Sequence, residues 1–359
     1  MYLLRVYAGL LCFALLQLPV ASKLSLFPNI RFSLLENRLN SASLLNDAAT
    51  SVGVSSPWNA PAFVWKLAWL LHSKTLPILH YFDKCAPNDT FVNLSVLWWK
   101  AISGNRRYNK LLYDKGVAYD LLPSFTRFIV AFPLCYLYPN LHHSNVAIRT
   151  VFLDNRLNEE LSQLDNDNNV MVVVLGGGFD TRALRYLNQR YRNFNSIDFY
   201  EIDLPEVVQQ KKNMLDRFVK RRGSDARVPK LLPANLNDID SLKQQLKTIY
   251  SSVSELNRPT RFIFMAEAVL MYLQPEKSML VLKSCKESCL EHYQNHGMNQ
   301  PVSFILADRL PLNSMKIDDA NPQLEKTAVQ QQLRTLGLNI LNLQLKPGRA
   351  RHMVHAVVK

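Results

Sequence analysis

Val170 to Leu175 reads Val-Met-Val-Val-Val-Leu, six apolar residues with no polar residue in alternation. A strand with one wet face alternates apolar with polar. An unbroken apolar run fits a strand buried on both faces. Three glycines, Gly176 to Gly178, stop the run, and Phe179-Asp180-Thr181-Arg182 follow. Burial on both faces commits the chain to helices on either side of a sheet, an α/β arrangement.

The rest of the chain agrees with that start. Strand candidates are Val170–Leu175, Ile197–Ile202, Val228–Pro233, Arg261–Ala266, Val302–Ala307, Leu338–Leu345 and His352–Val358. Helical patterns separate the first five, so these form a parallel sheet. Only "KPGRA" joins the last two, which predicts an antiparallel hairpin. Five parallel strands closed by such a hairpin is the strand plan of class I methyltransferases, a Rossmann-like sheet.

Upstream, the composition changes. Met1–Arg5 is short and basic, Val6–Val20 is nearly all apolar, and Val20-Ala21-Ser22 offers small residues at cleavage spacing. This predicts a signal peptide over 1–22, with an uncleaved anchor as the alternative. Residues 23–56 are serine-rich with two acids, Glu36 and Asp47, as in a transit peptide; a loose secreted arm is the other reading. The expected localisation is the secretory pathway with onward passage to a plastid, ahead of the cytoplasm. Residues 57–140 are aromatic-rich with helical spacing and are expected to form a helical cap, with a membrane-surface patch as the alternative. Residues 141–359 form the α/β domain. No stretch beyond the signal reaches span length without a polar break. Asn88 and Asn93 open two glycosylation sequons. Cys285 and Cys289, spaced i and i+4, match no zinc pattern and read as buried thiols, with a disulfide as the alternative and no metal expected.

The formal charge of +13 suggests anionic partners. The basic run from Lys211 through Arg222 could serve nucleic acid, but Phe218 is its only aromatic for base stacking. A solvated helix face is the better reading, and no nucleic-acid partner is expected.

Ligands of an open α/β sheet bind beyond the carboxyl ends of its strands, beside the first strand. Gly176, Gly177 and Gly178 lie there, where a missing Cβ allows tight turning and close approach. The dinucleotide fingerprint wants a third glycine at the position of Thr181, and no Gly-Lys-Ser/Thr offers a P-loop. The second strand ends in Glu201 and Asp203, acids suited to ribose hydroxyls. An acid-rich pocket without phosphate-binding glycines points to S-adenosylmethionine, which carries a sulfonium and an amine and no phosphate.

The blocks "VVLGGGFDTRALR", "FYEIDLPEVVQQKK", "LLPANLND" and "FIFMAEAVLMYLQPE" resemble, in order and spacing, the leucine carboxyl methyltransferase family over about Asp114 to Lys359. That family includes the methyltransferase of the protein phosphatase 2A C-terminus and algal relatives. The resemblance implies that Arg149 holds the methionyl carboxylate, Gly176–Gly178 form the cofactor turn, Asp203 with Glu201 beside it meets the ribose, and Glu267 follows the fourth strand. Asn235-Leu236 stands where the family usually has Asp-Leu near the adenine. Asp180 is expected to tie down the glycine turn.

An S-adenosylmethionine-dependent O-methyltransferase of a small-molecule carboxylate or hydroxyl is therefore expected. Methylation of a protein C-terminal carboxylate is the alternative. The catalytic residue is not named by the sequence. Tyr272, His142 and His143 are base candidates for a hydroxyl acceptor, with the two histidines also readable as a polar loop. The acceptor pocket is expected above Gly177 and Tyr272, under helices from Trp65–Trp99.

Overall fold

The computed structural model describes residues 91–104, 116–123, 127, 140–163, 169–190, 197–223, 225–254, 259–312, 321–346 and 350–358. The chain divides into two units, 1–91 with 98–147, and 92–97 with 148–359. Residues 1–56, read above as targeting sequence, lie outside the described residues, as do Asn88 and Trp65. Helix α1 (Phe91–Gly104) contains Asn93, Trp98 and Trp99; both tryptophans are buried. In the first unit a short helix α2 (Val117–Leu121) buries Val117, Ala118 and Leu121. Helix α3 (Asn140–Ser162) includes His142 and His143, which therefore lie on a helix and not in a polar loop. No described helix is long and apolar enough to cross a membrane.

The second unit holds a seven-stranded sheet: β1 (Asn169–Leu175), β2 (Ile197–Asp203), β3 (Lys230–Pro233), β4 (Thr260–Glu267), β5 (Val302–Asp308), β6 (Asn339–Leu345) and β7 (His352–Val358). Its order is β3-β2-β1-β4-β5-β7-β6. The first five strands pair in parallel, and β7 runs antiparallel to both β5 and β6. β3 starts two residues later than the sequence suggests, at Lys230, because Pro229 has no N–H for the ladder.

Every residue of β1 is buried, as its composition requires. Side chains alternate across a strand, so β1 feeds two cores. Val170, Val172 and Val174 pack with Phe152, Leu153, Leu157 and Leu161 of α3. Met171, Val173 and Leu175 join a core with α6 (Ile239–Ser254), α7 (Pro275–Asn295) and α8 (Pro322–Thr335). α4 (Arg182–Arg185) follows the glycine turn and runs into a π-helical turn at Tyr186–Arg190. α5 (Pro205–Arg222) links β2 to β3; Pro205 suits its first turn, and Gly223 at φ +105 ends it. Cys285 and Cys289 are free and buried in the α7 face.

The strand order reverses direction of growth at β1 and β4, which places the switch point at their carboxyl ends.

Candidate cofactor site

β1 ends at Leu175, and the chain turns at once. Gly176 takes φ +62 and Gly178 φ +46, the left-handed region that disfavours side chains. The amides of Gly176 and Gly177 donate to Ile202 O at 2.8 and 3.3 Å, tying the turn to β2. There is also no room for larger residues. A Cβ on Gly176 would lie 2.2 Å from Val269 Cγ2, and one on Gly177 would lie 2.9 Å from Glu201 Cβ.

Asp203 closes β2. Its Oδ2 accepts from Gly178 N at 2.6 Å and its Oδ1 from Leu204 N at 2.7 Å. Burial raises its pKa, against those amide bonds. Each carboxylate oxygen keeps a second lone pair, so the acid can still accept from a diol. Glu201 is more enclosed, and its Oε2 meets Lys211 Nζ of α5. Burial pushes Glu201 up to about 7, with Lys211 pulling the other way. Lys211 also donates to Asp180 O at 2.8 Å. It is 2% exposed, so this lysine does not belong to the solvated face that the basic run suggests. The sequence hides its role because neighbouring Lys212, Lys220, Arg221 and Arg222 are exposed. Gly177, Gly178, Glu201, Asp203, Val207, Val208, Lys211 and Leu231 line one pocket.

A second cluster lies where β1 and β4 end. Glu267, the last residue of β4, receives Arg149 Nε on Oε1 and Arg182 on Oε2, both at 3.3 Å. Arg182 also meets Asp180, and its Nε donates to Asp154 at 2.8 Å. Burial opposes its charge, but Asp180, Asp154 and Glu267 outweigh it and raise its pKa. Asp180 also accepts from Thr181 N at 2.7 Å and Arg182 N at 3.3 Å, so its side chain ties the start of α4, while the glycine amides are held by Ile202 and Asp203. The sequence points to Arg149 and Glu267 through resemblance but not to Arg182, whose partners Asp154 and Glu267 are remote along the chain.

After Glu267 the chain kinks through Ala268 at φ +52 into a 3-10 turn, Leu270–Tyr272. Buried Asp308 of β5 holds this turn. Val269 N and Leu270 N donate to Oδ2 at 2.7 and 2.8 Å, and Met271 N and Arg309 N to Oδ1 at 3.0 and 2.8 Å. Tyr272 is 59% exposed. Asn235 is exposed just past β3, beside Asp203, whose carbonyl takes Ala234 N at 2.8 Å; its own Oδ1 accepts from Asn237 N at 3.0 Å. Leu236 turns into the core with Leu242 and Leu246 instead of standing with the polar residues.

The site therefore has an acidic end at Asp203 and Glu201, and a mixed-charge end at Arg149, Arg182 and Glu267. Between them is a turn in which no Cβ fits at Gly176 or Gly177. That donor set fits a group with a ribose diol at one end and a zwitterionic amino acid at the other. Asp203 would take the diol. Arg149 and Glu267 would take the amino-acid carboxylate and amine.

Strand order and glycine turn together define a methyltransferase of the class I fold. Residues 137–286 match the model of the leucine carboxyl methyltransferase family. Fold and family imply S-adenosylmethionine as methyl donor. A search of curated proteins returns no match. Similar solved structures include a SAM dependent methyltransferase from Aquifex aeolicus, 13% identical over 56% of this chain and 89% of that one, TM-score 0.30. The CurJ carbon methyltransferase is 10% identical over 68% and 66%, TM-score 0.38. The DszA carbon methyltransferase is 13% identical over 90% and 81%, TM-score 0.33.

Proposed function

We propose that this chain transfers a methyl group from S-adenosylmethionine to an oxygen of a small molecule, with a carboxylate as the favoured acceptor. The supporting observation is that Glu201, Asp203 and Glu267 are all engaged by cations or backbone amides. An acid so held binds and orients; it is poorly placed to remove a proton in the transition state. A carboxylate acceptor is already ionised at neutral pH and needs no base. When bound, the donor supplies an electrophilic methyl on a sulfonium. The protein's work is then alignment: Arg149 and Glu267 orient the amino-acid end, Asp203 the ribose, and the glycine turn admits the group between them. The family name, which carries a carboxyl acceptor, supports the same reading.

Small molecules are favoured over a protein C-terminus because the first 56 residues read as targeting sequence, which separates this chain from a cytosolic phosphatase. The test uses protein lacking residues 1–56 and methyl-labelled donor. Two acceptor pools are offered, a metabolite extract and the phosphatase catalytic subunit. Label is expected in the metabolite fraction, released as methanol by base as from a methyl ester. Label confined to the phosphatase would establish the protein-carboxyl alternative. Base-stable label would point to a hydroxyl acceptor.

A further inference from the structure

The geometry points to Asp308 as a positioning residue that sets the amino-acid end of the cofactor site through the turn after β4. The inference rests on the methyl-donor reading above.

Asp308 does not line the cluster formed by Arg149, Arg182 and Glu267. It stands one strand further on, at the end of β5, and is fully buried. Burying an acid among backbone atoms is costly unless donors surround it. Here four amides do so, at 2.7–3.0 Å. Three of them, Val269, Leu270 and Met271, open a 3-10 turn whose first N–H groups would otherwise lack acceptors. Asp308 caps that turn from another strand.

The cap holds a backbone that would otherwise relax. Ala268 is the only described non-glycine residue with positive φ. Such a conformation persists only where surrounding contacts impose it. The Ala268 amide is held by Ala307 O at 2.9 Å, and Asp308 takes the next three amides. Two consequences follow for the site. Glu267, immediately before the kink, is aimed at Arg149 and Arg182. Val269, immediately after it, is pressed onto the turn at Gly176, within 2.2 Å of where a Cβ would lie. The foundation is itself anchored: Leu310 N donates to His352 Nδ1 at 2.9 Å, and His352 Nε2 pairs with Glu325 Oε1 at 2.9 Å. With Nδ1 accepting, Nε2 carries the proton and donates to Glu325.

Asp203 makes its bonds to Gly178 and Leu204, and the Gly176 and Gly177 amides are held by Ile202, so the turn reaches the ribose end only through Val269 on Gly176. Loosening Asp308 should therefore harm the amino-acid end and spare the ribose end. The experiment measures the affinities of S-adenosylhomocysteine and of adenosine for wild type and Asp308→Asn by calorimetry. The amide keeps the size of the side chain but replaces one doubly accepting oxygen with a donor. S-Adenosylhomocysteine is expected to bind about 10- to 100-fold more weakly, the equivalent of one or two lost charge-assisted hydrogen bonds. Adenosine should stay within about twofold, because its contacts lie outside the turn. General loosening of the protein would weaken both alike; that result, or no change in either, overturns the assignment. Hydrogen exchange on the wild type provides a test that does not depend on the variant folding. The amides of Val269, Leu270 and Met271 should be protected as well as those of β4, and exchange at open-loop rates would overturn the clamp. If wild type binds neither ligand, the methyl-donor reading fails, and exchange alone then decides whether Asp308 holds the turn.

Discussion

At Gly177 an added methyl group would lie 2.9 Å from Glu201 Cβ and 3.1 Å from its Oε2. Glu201 cannot retreat easily, because it is buried and paired with Lys211. Gly177→Ala is expected to cost about 1–3 kcal/mol of unfolding free energy, the usual scale of overpacking, and to weaken S-adenosylhomocysteine binding. Urea denaturation and calorimetry measure the two effects. Gly297→Ala is the comparison: Gly297 has φ +62 but nothing within 4 Å, so stability should fall while cofactor affinity holds. Equal binding losses in both variants would remove the steric explanation. At this scale the glycines, Asp203, Arg149 and Glu267 were legible because motif and resemblance mark them. Lys211 and Asp308 were not. A lysine in a basic run looks solvated, and an acid ending a strand looks like the start of a loop. Only the packing of α5 on β2 and of β5 beside β4 turns them inward.

Between elements, Asp154 is the hub that fixes α4 to α3. It is fully buried, takes Arg185 at 2.5 and 3.1 Å and Arg182 at 2.8 Å, and its carbonyl receives Tyr186 Oη at 3.2 Å. Burial works against its ionisation, but Arg185 and Arg182 hold its pKa below the ordinary carboxylate value. Asp154→Asn would leave two buried guanidinium groups short of counter-charge. The expected loss is about 3–5 kcal/mol of stability, the scale of breaking a buried ion pair from one side. Because Arg182 also holds Glu267, cofactor affinity should fall as well. Denaturation of apo and ligand-saturated protein separates the two losses. The strands themselves were readable to within two residues, since apolar runs and their boundaries are local signals. The polar ties between elements were not: Glu160 and His355 meet at 2.6 Å across 195 positions. No periodicity announces a partner at that distance.

For the molecule as a whole, acid and base shifts oppose one another in mildly acidic solution. His352 and His292 have pKa values lowered by burial, His292 to about 4. Unfolding lets both take up protons below about 6.5, so their contribution is complete above that pH and is lost as pH falls toward the folded values. Glu201 is raised to about 7 from 4.5 and behaves in reverse: the folded state holds its proton longer, so stability falls as pH rises through this window. Glu201→Gln removes that compensation. Its stability should decline more steeply than that of wild type between pH 7 and about 4.5, a comparison that denaturant titrations at several pH values provide. We propose from the apolar core and the acid-poor stretch that residues 1–56 direct targeting: a reporter fused to them should leave the cytosol, and a diffuse cytosolic signal would overturn this. One further consequence comes from the position of β7. It is the last of the seven strands to be made, yet it sits inside the sheet between β5 and β6 and carries His352 and His355 into separate buried hydrogen bonds with Glu325 and Glu160. On the ribosome, β1 to β5 can assemble early, but the edge of β5 stays open until residue 358 has emerged. The nascent chain therefore carries an unpaired, apolar strand edge from the completion of β5 at Asp308 until β7 has emerged, a surface that binds chaperones or other unfinished chains.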